Sequence, residues 1–210
     1  MNKNLFPIAK EGVLFILVGF FTLLLFLILE LKFLLFIGLL TLIFLIFSFR
    51  NPERLVPEFS DLSVLAISDG VVNSIEEIDD TEYAYKIEIE SSFLDVGILR
   101  APFDATLIKS LYKNGAKVSK ISELNLDLNE MLELTFQDYK KNKLKVVHRV
   151  KQSFSSIYCD LSSSQKIRQA SRYGLMINGV TTIYLPHNFR VNVHVGDELK
   201  SSESLMGYFS

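Results

Sequence analysis

Between positions 12 and 49 the chain carries only two charged side chains, Glu30 and Lys32. The rest of this stretch is almost entirely Leu, Phe, Ile, Val and small residues, whereas nearly all the charge of the chain lies beyond Phe49. Apolar surface of this extent is unfavourable in water. The sequence therefore indicates two solvents, lipid for the N-terminal part and water for the remainder.

The apolar stretch divides into two segments, residues 12–29 and 33–49. At about 1.5 Å per helical residue, each is about long enough to cross a hydrocarbon core of roughly 30 Å. A cleavable signal peptide has one short apolar core and a small-residue cleavage site, whereas here a second apolar segment follows at once. The pattern predicts a transmembrane helical hairpin that turns at residues 30–32.

The basic residues that flank the hairpin predict its orientation. Two lysines precede it and Arg50 and Arg54 follow it, while the turn offers only Lys32. Because positive charge is enriched on the cytoplasmic side, residues 1–11 and 50–210 are both expected in the cytoplasm. The sequence thus predicts a multi-pass protein of the inner membrane with its soluble domain on the cytoplasmic side.

From about residue 62 onward the chain is rich in β-branched and aromatic residues, punctuated by Asp-Gly, Asn-Gly and Asp/Ser clusters. This pattern predicts short strands and a mainly β fold, an antiparallel domain resembling a barrel-sandwich. The predicted strands are residues 64–67, 71–75, 83–89, 106–111, 132–136, 144–150 and 182–185.

Composition and common motifs exclude several classes of function. With 22 basic and 24 acidic residues, nothing favours nucleic acid as a partner. The single cysteine, Cys159, cannot form an internal disulfide and is interpreted as a core residue. The three histidines, His148, His187 and His194, lack metal-ligand spacing, so no metal is expected, and glycine-rich phosphate loops and G-x-S-x-G elbows are absent.

An ordered series of short motifs resembles the phosphatidylserine decarboxylases, especially their short bacterial and archaeal forms. The series runs through residues 49–54 (F-R-N-P-E-R), 68–72 (S-D-G-V-V), 95–104 (D-V-G-I-L-R-A-P-F-D), 129–130 (N-E), 173–179 (Y-G-L-M-I-N-G), 183–186 (I-Y-L-P) and 195–199 (V-G-D-E-L). The resemblance covers nearly the whole chain. It implies a role in phospholipid, specifically phosphatidylethanolamine, metabolism.

The resemblance also implies a cofactor made from the chain itself. In that family a serine attacks its own preceding carbonyl, the chain breaks, and a pyruvoyl group remains at the new N-terminus. This carbonyl forms a Schiff base with phosphatidylserine and accepts electrons during decarboxylation.

The serine position falls on Gly179 when counted back from the Tyr-Leu-Pro motif, and on Val180 when counted forward from Gly174. Neither side chain has an oxygen, so neither can form the ester from which the pyruvoyl group arises. A pyruvoyl cofactor is therefore not expected. Thr181 and Thr182 are the nearest hydroxyls, and use of either would require a slipped register and would give a ketobutyryl group.

The family's self-cleavage resembles serine-protease chemistry, in which Asp orients His and His activates Ser. Asp69 matches the acidic position, but Gly97 stands where the family has its histidine. Arg100, in the matching R-A-P segment, is a candidate for substrate binding. The family's basic A-R-R-I segment is replaced by residues 153–157 (S-F-S-S-I), which removes two candidate contacts to an anionic group.

Three hypotheses about function remain open. The first is a catalytically degenerate, membrane-anchored member of the family that binds lipid, such as phosphatidylserine, or a partner, such as an active relative or a second copy. The second is an active phosphatidylserine decarboxylase with an unusual nucleophile such as Thr181. The third is a structural role unrelated to lipid, since a fold does not fix a function.

Overall fold

The computed structural model of this 210-residue chain describes residues 6–57, 62–119 and 127–210. The chain forms two compact units, Met1–Glu53 and Arg54–Ser210. The first is helical and the second is built from strands.

The N-terminal unit contains both predicted helices. A short 3₁₀ turn at Lys10–Gly12 leads into helix α1, Val13–Ile28, and helix α2 spans Lys32–Ser48. Glu30 reverses the chain with a φ of 55°. By length and composition, the segment Lys10–Ile28 can cross a membrane, whereas α2 is shorter.

Backbone hydrogen bonds join the two chain ends of the hairpin. The Ala9 N–H donates to the Phe49 carbonyl at 2.8 Å, and the Asn51 N–H donates to the Pro7 carbonyl at 2.7 Å. A Cβ at Gly12 would overlap the Phe49 ring, so glycine permits this close approach. Both ends of the hairpin therefore meet at the same end of the unit, as the short predicted turn requires.

The C-terminal unit is mainly β. Its strands are β1 (Ser63–Leu65), β2 (Gly70–Glu77), β3 (Tyr85–Glu90), β4 (Ile98–Arg100), β5 (Ala105–Lys113), β6 (Met131–Gln137), β7 (Lys143–Val150), β8 (Tyr158–Cys159), β9 (Lys166–Ile167), β10 (Arg172–Leu175), β11 (Gly179–Leu185), β12 (Phe189–Val191), β13 (Glu198–Leu199) and β14 (Leu205–Phe209).

These strands form three antiparallel sheets. The largest has the order β13-β2-β3-β11-β7-β6-β5-β9, and the smaller ones have the orders β1-β14-β12 and β4-β10-β8. The prediction of a mainly β, antiparallel domain with two helices before it is confirmed. The finer prediction of a barrel-sandwich stays a prediction.

Strand β11 lies inside the largest sheet, between β3 and β7. Its Val, Thr and Ile residues suit a central strand, and every residue except Tyr184 is buried. Gly179 pairs with Val150 at the end of β7, and Val180 pairs with Glu90 at the end of β3. The loops at residues 91–97 and 151–157 therefore lie at the edge where β11 begins, which we call the Gly179 end of the sheet.

Candidate functional site

The sequence-predicted positions Asp69, Gly97 and Gly179 converge at the Gly179 end of the sheet. Ser91 joins two of them, because its hydroxyl donates to the Asp69 carbonyl at 2.5 Å and its N–H donates to the Gly179 carbonyl at 2.9 Å. The Met176 N–H donates to the Gly97 carbonyl at 2.8 Å. The fold thus gathers all three positions, although they are distant in sequence.

The space beside Gly179 is already filled. A Cβ built on this residue would lie 2.5 Å from Met176 Sδ and 2.7 Å from the Arg149 carbonyl oxygen. The flexible Met176 side chain can move, but the Arg149 carbonyl belongs to the neighbouring strand β7. A serine at position 179 would therefore require the sheet itself to shift.

Gly97 is confined in the same way. A Cβ at this position would lie 2.9 Å from the Met176 carbonyl oxygen and 3.2 Å from Ile177 Cγ1. The closer contact is with backbone, so a histidine cannot be added here without displacing the segment that leads into β11. At both positions where the family has a catalytic side chain, neighbouring atoms thus lie closer to the Cβ position than an ordinary contact allows.

Val180, the other possible position for the serine, is 2 % exposed. It belongs to the hydrogen-bonded ladder of β11, opposite Glu90 on one side and Arg149 on the other. Its isopropyl group supplies packing and has no hydroxyl for an ester. Whether the family's serine position corresponds to Gly179 or to Val180, the side chain therefore lacks the hydroxyl that ester formation requires.

The Asp69 carboxylate is held by groups other than a histidine. Its Oδ2 lies 2.5 Å from Arg54 Nη2, and its Oδ1 accepts the Ser201 N–H at 2.8 Å. Arg54 also binds the Glu203 carboxylate at 3.1 Å. Arg54 and Asp69 each have a side chain only 9 % exposed, so this is a largely buried ion pair. The arrangement gives Asp69 a clear structural role.

Arg100 lies in a group of buried charges next to this ion pair. Burial lowers the pKa of the Arg100 guanidinium, and the positive charges of Arg54 and Arg172 lower it further. The carboxylates of Asp69 and Glu203 act in the opposite direction. The role of Arg100 in binding substrate stays a prediction.

Sequence reasoning missed a buried polar chain that crosses the sheet. Thr181 Oγ1 lies 2.9 Å from His148 Nδ1 and accepts a hydrogen bond from the Ser68 hydroxyl at 3.3 Å. His148 Nε2 lies 2.7 Å from the Tyr173 hydroxyl. Burial lowers the pKa of His148 to about 3, so its imidazole is neutral at physiological pH.

A hydroxyl beside a neutral imidazole is the pairing that activates many enzyme nucleophiles. Here Thr181 and His148 are both 0 % exposed. They face each other across β11 and β7, well inside the sheet. The contact satisfies two buried polar groups and offers no path to a substrate, so we interpret it as structural.

The other histidines are at the surface. His187 Nε2 lies 3.1 Å from the Asp80 carbonyl oxygen, and the His194 side chain is 89 % exposed beside Asp197. Within residues 6–57, 62–119 and 127–210, no group of three or more His, Cys, Asp or Glu side chains is placed to hold a metal ion.

Residues 129–130, part of the motif series, hold the Gly179 end together. The Asn129 amide donates to the Val150 carbonyl at 2.7 Å. The buried Glu130 carboxylate accepts the Ile157 N–H at 2.9 Å and the Tyr112 hydroxyl at 2.7 Å. These two residues therefore fix the loop that follows β7.

Comparisons with known proteins agree with the motif series. A family model described as phosphatidylserine decarboxylase matches residues 41–207. The chain is 30 % identical over 206 residues to a phosphatidylserine decarboxylase proenzyme of Desulfotalea psychrophila, which covers 96 % of each chain. A proenzyme of the same name from Geotalea uraniireducens is 30 % identical over 210 residues, 98 % of each chain. The Ehrlichia chaffeensis proenzyme is 28 % identical over 169 residues, 78 % of this chain and 74 % of that one.

Proposed function

The chain belongs to the phosphatidylserine decarboxylase family, and on that premise we propose that it is a membrane-anchored member that does not cleave itself. It binds phospholipid, with phosphatidylserine as the first candidate, or a protein partner such as an active relative or a second copy. Helices α1 and α2 cross the inner membrane as a hairpin, and the β domain lies on the cytoplasmic side.

One observation carries this proposal, the filled space at Gly179. Self-cleavage needs a nucleophilic oxygen next to the carbonyl that it attacks, with room for a tetrahedral intermediate. At Gly179 the side-chain oxygen is missing, and the Met176 sulfur and the Arg149 carbonyl oxygen lie 2.5 Å and 2.7 Å from the position that a Cβ would take. The residues present therefore do not fit the pyruvoyl group that the family implies, and we derive no decarboxylation step through it.

The surroundings of Gly97 and Asp69 support the same proposal. Gly97 has no imidazole to act as a base and no room for one, and the Asp69 carboxylate is bound by Arg54 and the Ser201 N–H. Each of the three positions that would form a triad thus lacks its catalytic group or uses it elsewhere. Two catalytic side chains are missing and the third is held in an ion pair, so the site lacks the groups for self-cleavage, and we assign it a binding role.

Denaturing electrophoresis of the full-length protein tests the proposal. We expect one band near 24.0 kDa and an intact mass that corresponds to the unbroken chain. Treatment with a carbonyl-reactive hydrazide should give no labelling. A large N-terminal fragment together with a small, carbonyl-capped fragment that begins between Gly179 and Thr182 would overturn the proposal and establish the active alternative.

A binding assay tests the lipid part separately. The full-length protein, reconstituted in nanodiscs that contain phosphatidylserine or phosphatidylglycerol at equal charge, should protect the Gly179 end from hydrogen exchange more strongly with phosphatidylserine. The β6–β7 turn at residues 138–142 lies at the other end of β7 and serves as the internal control. Equal exchange with both lipids would contradict phosphatidylserine recognition.

A further inference from the structure

Strand β5 is paired along only part of the edge that faces away from β6. Strand β9 joins this edge through Ala105 and Thr106. The Leu107 N–H extends the contact by donating to the Gln165 carbonyl at 3.0 Å. In the described part of the chain, no strand pairs with this edge beyond Leu107. Residues 108–113 therefore form an open strand edge, which we call the β5 edge.

The β5 edge is exposed along its whole length. Every residue from 108 to 113 is exposed, although the first residues of the same strand are buried or half-buried. The exposed fraction is 43 % for Ile108 and 47 % for both Leu111 and Tyr112. Unpaired N–H and C=O groups on such an edge are a template for pairing with another strand. The three large side chains add apolar surface that pairing would cover.

Two lysines of the β5 edge limit which strand can pair with it. Lys109 donates to the Glu133 carboxylate at 2.7 Å, and Lys113 ends the strand. Lysines and a β-bulge, which here lies between Leu107 and Lys109, protect natural edges from indiscriminate pairing. Like charges directly opposite each other on two strands are destabilising. A partner strand must therefore place residues other than Lys or Arg opposite these two positions.

A second copy of the β5 edge meets this condition in one register. Antiparallel pairing about a twofold axis places one residue opposite its own copy, because opposite residues must share a face of the sheet. Two such registers align five residues of the edge, one centred on Ser110 and the other on Leu111. The Leu111 register places Lys109 opposite Lys113 twice. The Ser110 register places Lys109 opposite Leu111 and opposes no like charges.

We propose that two copies of this chain associate through the β5 edge, in an antiparallel register centred on Ser110. The inference rests on the proposed function and deepens it, because a second copy is one of the partners named there. The contact is isologous, so it uses the open edge of both copies and closes at two. Each copy gains backbone hydrogen bonds along the edge. Leu111 of each copy covers the aliphatic stem of Lys109 in the other.

Cysteine cross-linking of the full-length protein tests the register. In a background where Cys159 is replaced by serine, Ser110→Cys places two thiols opposite each other at the dimer axis, so a short bismaleimide should link them. Lys113→Cys is the matched control, because the same register separates its two thiols by roughly 20 Å. Equal linkage of the two variants, or linkage of neither, would overturn the proposal.

A change of charge at Leu111 tests the same contact by affinity. Leu111→Glu places a carboxylate opposite Lys109 of the other copy and should lower the dimer dissociation constant several-fold, whereas Leu111→Lys should raise it several-fold. Tyr139→Lys, at a site 74 % exposed in the β6–β7 turn, should leave it unchanged. Light scattering of the detergent-solubilised protein measures these constants. A wild-type chain that stays monomeric, or a dimer that responds to neither Leu111 substitution, would contradict the proposal.

Denaturing electrophoresis of the same samples separates this inference from the proposed function. An intact chain that does not dimerise contradicts the β5 contact alone. A cleaved chain that dimerises through the β5 edge contradicts the proposed loss of self-cleavage alone.

Discussion

Arg54, the last residue of the F-R-N-P-E-R motif, neutralises a carboxylate that has little access to water. Asp69 and Arg54 each expose only 9 % of their side chains. Replacement of Arg54 by alanine leaves the carboxylate without its charge partner, which typically costs roughly 3–5 kcal/mol of unfolding free energy. Urea unfolding of the detergent-solubilised protein measures this loss.

The matched control for Arg54→Ala is Lys143→Ala. Lys143 and Glu82 form a surface pair with side chains 42 % and 47 % exposed. Solvent screening limits such a pair to about 0–1 kcal/mol. Equal losses in the two variants would show that the Arg54–Asp69 pair is not the structural anchor described above.

His148 makes stability depend on pH in a specific window. Burial lowers its pKa to about 3 in the folded protein, from 6.5 in the unfolded chain. Between these values only the unfolded chain binds the proton, so stability falls as pH decreases from about 6.5 toward 3, by at most about 1.4 kcal/mol per pH unit.

A His148→Gln variant should lose that part of the pH dependence, although it is less stable at neutral pH. His194→Gln, which makes the same substitution at a side chain 89 % exposed, is the matched control. Chemical unfolding at several values between about pH 4 and 7 gives the slopes. A wild-type slope that survives in His148→Gln would assign the pH dependence to other groups.

At the scale of single elements, the sequence predicted where the helices and long strands lie, but not which strands pair with each other. The patterns located α1, α2 and the long strands because apolar runs and β-branched clusters are local signals. The Thr181–His148 contact depends on the register of β11 against β7, which the sequence does not encode locally. The filled space at Gly179 depends likewise on the Met176 side chain and on the neighbouring strand.

The hairpin gives a prediction about membrane topology. In a background where Cys159 is replaced by serine, Glu30→Cys places a thiol in the turn between α1 and α2. An impermeant maleimide should label it in intact cells, because the proposed orientation places the turn outside. His194→Cys, at a site 89 % exposed in the β domain, should be labelled only after permeabilisation. The reverse pattern would invert the proposed orientation.

At the scale of the whole molecule, the two departures from the family's motifs, Gly97 and Gly179, are both surrounded by backbone atoms that leave little room for a side chain. Restoring the two missing residues, Gly97→His with Gly179→Ser, should give no self-cleavage and a less stable protein. The reason is that the added atoms meet the carbonyls of Met176 and Arg149 at 2.9 Å and 2.7 Å. Electrophoresis and thermal unfolding check both expectations.

A third substitution, Met176→Ala, sharpens the restoration test. It removes the sulfur contact with Gly179 but leaves both backbone contacts, so the triple variant should also remain uncleaved. Val180→Ser in the Gly97→His background covers the other register. If any of these variants gave cleavage fragments, only the catalytic side chains would have been lost, and the surrounding structure would still support self-cleavage.

The five-residue connection between α2 and Arg54 has a consequence for affinity. In the proposed topology, Arg54 can lie at most about 20 Å from the end of α2, so a lipid-binding surface of the β domain would meet headgroups at a high effective concentration, whatever the amount of protein in the cell. Recognition of a headgroup then needs no tight intrinsic interaction. Even millimolar-strength contacts would keep such a surface occupied, and exchange between neighbouring lipids would stay fast.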